Sequence, residues 1–89
     1  MPKQSLFPLG RILATPGALD LDVNFFPYLR RHQCGDWGDL DAEDKAANNF
    51  SVENGLRILS AYHALDGIKF WIITEADRSA TTILLPDEY

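Results

Sequence analysis

The chain reads as an α+β domain: two or three helices packed on one face of a mainly antiparallel four-stranded sheet that ends in a three-strand meander. Three observations lead there. Sheet-forming residues gather toward the C-terminus, in Ile58-Leu59, Phe70-Trp71-Ile72-Ile73 and Thr81-Thr82-Ile83-Leu84-Leu85. Asp66-Gly67, a strong hairpin signal, separates the first two of these runs. The middle of the chain carries helix starts and stops instead, and helices followed by a meander belong to α+β domains rather than to repeated βαβ units.

Taken in order, residues 1–5 read as a disordered terminal segment and residues 6–89 as a single domain. Residues 9–14 form an apolar run that reads as the first strand. Thr15-Pro16 then starts a short helix, with a hydroxyl at the N-cap and proline at the position where its missing N–H costs nothing. Asn24 is placed to cap a second helix whose Phe25, Tyr28 and Leu29 share one face. Arg30, Arg31 and His32 lie at its far end, where cations suit the helix dipole. Gly35 and Gly38 bracket Asp36-Trp37 and mark a loop.

Asp39 or Asp41 caps a third helix over residues 42–53, with Glu43 and Asp44 in its first turn and Asn54-Gly55 as its stop. Its Ala42, Ala46 and Phe50 make an i, i+4, i+8 stripe expected to lie on the sheet. Strands follow over residues 56–62, 68–73 and 81–85, and Pro86 ends the last. Phe50, Ile58, Phe70, Ile72 and Leu84 are the expected core.

Composition restricts the function. The chain has 89 residues, 46% of them hydrophobic, which suffices for one core without staples. Its single cysteine, Cys34, forms no internal disulfide and fits a reducing cytoplasm. No apolar run reaches membrane-spanning length. The net charge is −5 and the eight Lys and Arg residues are scattered. No basic stripe is present, so direct nucleic-acid binding is not expected. A monomer or a homodimer is expected.

Two polar groupings are candidate binding regions. The first is the acid-rich loop with Asp36, Asp39 and Asp41 around Trp37, where an aromatic between glycines can serve as a docking anchor or fold back as a lid on the core. The second is the connection carrying Glu75, Asp77 and Arg78. An acid and an arginine at a strand end can orient a substrate, and a polar hairpin connection can equally be a solvated turn. No metal site and no cofactor are expected. His32, Cys34 and Asp36 lack the ligand spacing of zinc sites, and residues 39–44 lack the turn glycine of a calcium loop. His32 reads as a helix-terminal cation and Cys34 as a small buried hydrophobe.

The segments at residues 13–19, 31–39, 57–62 and 73–86, including Leu13-Ala14-Thr15-Pro16-Gly17, Gly35-Asp36-Trp37-Gly38-Asp39 and Ile73-Thr74-Glu75-Ala76-Asp77-Arg78-Ser79, resemble a family of small uncharacterised bacterial proteins of plasmids and other mobile elements. Some members carry automatic labels tying them to type I restriction–modification. The resemblance implies no catalytic residue and no cofactor. The expected function is a small cytoplasmic binding or regulatory module that contacts a protein partner, in a defence or maintenance system of such an element. The alternative is a small enzyme, a hydrolase or toxin-like transferase, with its site around Glu75, Asp77 and Arg78 beside His63.

Overall fold

The computed structural model describes residues 4–89. The elements in chain order are β1 (Arg11–Ala14), α1 (Pro16–Leu19), α2 (Phe26–Gln33), α3 (Ala42–Asn54), β2 (Ile58–His63), β3 (Lys69–Thr74) and β4 (Ala80–Leu84), followed by a 3-10 turn at Pro86–Glu88. The sheet has the order β1-β4-β3-β2. Strands β2, β3 and β4 form the antiparallel meander, and β1 adds to β4 in parallel. The chain is an α+β domain, as its sequence predicts.

Local signals account for most boundaries. The Thr15 hydroxyl accepts from the Ala18 amide and starts α1. The Asp41 carboxylate accepts from the Asp44 amide and starts α3. Gly55 ends that helix in the left-handed conformation that glycine adopts without strain. The first strand begins later than expected, because Gly10 sits at a φ of 66° and breaks the extended run. The Asn24 side chain accepts from the Phe26 amide, one residue after the position expected to open α2. Of the segment expected to be disordered, residues 1–3 lie outside the described residues, and the Ser5 hydroxyl accepts from Arg30.

Side-chain alternation sorts the strands into two faces. Ile58, Ser60, Tyr62, Phe70, Ile72, Thr74, Thr81 and Ile83 share one face, following the pairing registers. On it lie Leu29 and the partly buried Phe25 and Tyr28 of the α2 stripe, with Ala18 of α1. Phe7 and Trp37 extend this layer over Ile58. Leu84 is buried on the opposite face, where Tyr89 packs edge-on against Trp71.

One core expectation is corrected. Phe50 is 60% exposed, and the buried positions of α3 are Asn48 and Ser51. The helix does not lay its alanine stripe on the sheet face. It docks against the free edge of β2, where the Asn48 amide donates to the Leu59 carbonyl at 2.7 Å and accepts the Leu59 N–H at 3.2 Å. This two-point contact fixes the helix rotation and turns Phe50 away. The contact satisfies both peptide groups of Leu59, which an open strand edge would leave without a protein partner.

Candidate functional site

The most concentrated polar chemistry in the described residues lies beneath α2. His32, Ser60, Thr74 and Thr81 are all fully buried. The His32 Nδ1 is 2.6 Å from Ser60 Oγ, and Nε2 is 2.9 Å from Thr74 Oγ1. Thr74 Oγ1 lies 2.8 Å from Thr81 Oγ1, which donates to the Leu9 carbonyl. The sheet register builds this row, since Thr74 and Thr81 stand directly opposite each other and Ser60 is one diagonal step away.

Proton counting sets the direction of the chain. Thr81 spends its proton on Leu9, so Thr74 donates to Thr81. Thr74 then accepts from His32 Nε2–H, and Nδ1 accepts from Ser60. The count places a proton on Nε2, and Nδ1 carries none because burial keeps the ring neutral. Burial lowers its pKa to about 3, with a further push from the Arg78 charge. Phe7 and Trp37 meet the ring edge-on at 5.3 and 5.9 Å. A serine on an imidazole is the arrangement of nucleophile activation. Here neither group has any exposed surface, so no substrate reaches the pair. The row is a satisfied polar core.

This corrects the reading of His32 as a helix-terminal cation. Its position was legible, because residue 32 continues the buried stripe of 25, 28 and 29 by one more turn. Ser60, Thr74 and Thr81 likewise sit at inward positions of their strands. Cys34, expected to be buried, is only partly buried.

Each of the expected site residues is engaged within the fold. Trp37 is 2% exposed and donates from Nε1 to Asn49, so it is a lid on the core and not an exposed docking anchor. Asp36 pairs with Arg31 at 2.8 Å, and its backbone carbonyl accepts from Tyr62. Asp39 meets His63 at 2.5 Å, and Asp41 is the helix cap. Gly38, at a φ of 76°, lets this loop run along β2, where a side chain would overlap the Ala61 carbonyl and the Tyr62 ring.

At the other end of the strand, Glu75 faces Arg57 at 3.6 Å and Asp77 accepts from the Ser79 amide in the turn. Arg78 donates to the carbonyls of Leu56 and Ser51 at 2.7 and 3.0 Å, and to those of Glu75 and Ala76 at 3.2 Å. Its guanidinium also lies over the Phe7 ring. The arginine thus ties the β3–β4 turn to the C-terminal end of α3, where carbonyls carry the negative end of the dipole. The two polar regions stay apart. Residue 58 pairs with residue 74 and residue 63 with residue 69, so His63 and Glu75 mark opposite ends of the sheet.

The surface that sequence reasoning missed is apolar. Phe26 is 78% exposed and Ile12 52% exposed, and together with Leu9, Pro27 and Leu29 they line a shallow groove between the start of α2 and β1. The signal was available: Phe26 falls off the stripe of 25, 28 and 29, so the helix turns it outward. No described helix is long and apolar enough to cross a membrane. Among the described residues, no cluster of three or more His, Cys, Asp and Glu side chains is arranged to hold a metal. No protein-family model, curated protein or solved structure matches this chain.

Proposed function

We propose that this chain is a small cytoplasmic binding module that acts by protein–protein contact, in a defence or maintenance system of a bacterial mobile element. The observation that carries the reading is the groove of Ile12, Pro27, Phe26 and Leu29, a contiguous apolar surface on a chain of net charge −5. Exposed aromatic and aliphatic side chains gathered in one concavity are what an interface core needs. The partner offers an apolar side chain to this groove. The enzyme alternative draws less support, because Glu75, Asp77 and Arg78 are held by Arg57, by the turn and by backbone carbonyls, with His63 at the far end of β2.

The test is capture from a lysate of the native host on immobilised chain, comparing wild type with Phe26→Asp. Aspartate suits the first turn of α2, so the variant keeps its melting temperature. A protein retained by wild type and lost by Phe26→Asp supports the reading. Equal capture by both, or capture lost only on changing Glu75 or Asp77, overturns it.

A further inference from the structure

The two edges of the sheet are treated differently. On the outer edge of β2, the Asn48 amide occupies the Leu59 peptide groups. Beside it, the Ala61 N–H donates to Trp37 and the Ala61 carbonyl accepts from Asp39. That edge is sealed. The other edge is β1, which among the described residues pairs only with β4. Arg11 and Thr15 donate to the Ser79 and Ile83 carbonyls, so alternation turns the peptide groups of Ile12 and Ala14 to the free side. Ile12 is exposed, as is Leu13 at 42%. No proline, bulge or covering element lies on this strand among the described residues, and such an edge is a template for another strand.

We propose that the chain forms a homodimer in which β1 of each copy pairs antiparallel with β1 of the other, giving a continuous eight-stranded sheet. A second copy fits because the edge complements itself in one register. Gly10 breaks the strand on one side and Pro16 lacks an N–H on the other, so Ile12 and Ala14 are the only usable positions. Pairing Ile12 of each copy with Ala14 of its partner uses all their outward peptide groups. Pairing Ile12 with Ile12 leaves Ala14 opposite the glycine kink.

In this register the two Leu13 side chains meet across the axis as a close pair that is not hydrogen-bonded. Arg11 falls opposite Thr15 of the other copy. The Thr15 hydroxyl holds the Glu88 carboxylate, which also accepts from the Gly17 and Leu85 amides and retains lone pairs for a cation. Arg11 has no ion-pair partner among the described residues. The dyad thus supplies two Arg11–Glu88 contacts, a local attraction within an acidic chain. Since Ile12 also lines the groove described above, the two grooves adjoin across the axis. The inference goes beyond the partner-binding reading and needs no partner, so its test uses the purified chain alone.

Analytical ultracentrifugation of the full chain, up to about 200 µM for an interface this small, is expected to give a mass approaching twice 10.0 kDa. Leu13→Asp places two carboxylates face to face and raises the dissociation constant at least about tenfold. Should that variant fail to fold, oxidative cross-linking decides the register. In a Cys34→Ser background, Leu13→Cys forms a disulfide-linked dimer. Ile12→Cys does not, since its Cα lies more than about 7 Å from its counterpart. A wild-type chain that stays monomeric, a dimer indifferent to Leu13→Asp, or cross-linking through Ile12→Cys in preference to Leu13→Cys overturns the proposal. Monomeric wild type would leave Phe26-dependent capture of a partner untouched.

Discussion

Acid should unfold this domain through His32 before its carboxylates titrate. The imidazole is neutral and enclosed, with a pKa of about 3 against about 6.5 for a histidine in the unfolded chain. Between those values the unfolded state binds one more proton than the native state. Stability is therefore full above pH 6.5 and falls as the pH drops toward 3. The limiting slope is about 1.4 kcal/mol per pH unit, and integration from pH 7.5 to 4.5 gives a loss of about 2–3 kcal/mol. For a domain of this size that lowers the melting temperature by roughly 10–20 °C. Asp77 and Glu88 have lowered pKa values, held by Ser79 and by Thr15, so their contribution disappears only at more acid pH. Thermal unfolding followed by circular dichroism at several pH values measures the slope. His32→Gln keeps a donor and an acceptor in the row without titrating in this range, so its slope between pH 7.5 and 4.5 should be much shallower than that of the wild type. A wild-type melting temperature constant over that interval, or a His32→Gln variant as acid-sensitive as wild type, would refute the reasoning.

Arg78→Ala should destabilise the fold by about 1–3 kcal/mol in denaturant titrations, because the Ser51 and Leu56 carbonyls lose a charged donor. Arg78→Lys should recover only part of that loss, since one ammonium cannot span both carbonyls as the planar fork does. Asn48→Ala should cost about 1–3 kcal/mol by unpairing both peptide groups of Leu59, and amide exchange at Leu59 should quicken in the same variant. An Asn48→Ala protein with wild-type stability and exchange would show that α3 is not held to β2 by this amide.

The local grammar of the chain was readable because its causes are local. Thr15-Pro16, Asp41, Asn54-Gly55 and Asp66-Gly67 act through hydrogen bonds and backbone preferences within a few residues, and each marks the boundary it predicts. The long-range polar contacts were not legible in the same way. The connection carrying Glu75, Asp77 and Arg78 read equally as a site or as a solvated turn, and the structure shows Thr74 and Thr81 as buried strand residues and Arg78 bonded to the Ser51 and Leu56 carbonyls. Their partners lie far along the chain, with His32 and Thr74 separated by 42 positions and Arg78 and Ser51 by 27.

The sequence by itself determined the kinds of element, their order, the α+β class and the inward alternation of the last three strands. Hydrophobic periodicity suffices for that, since each strand or helix must bury its apolar side against something. Only the tertiary structure decided which polar groups join the apolar ones inside. Periodicity is blind to a histidine satisfied by two hydroxyls or an asparagine that completes a strand edge. It also could not tell that one sheet edge is sealed and the other open. That difference depends on where α3 and the loop at residues 36–39 come to rest, and long-range hydrogen bonds to β2 fix both.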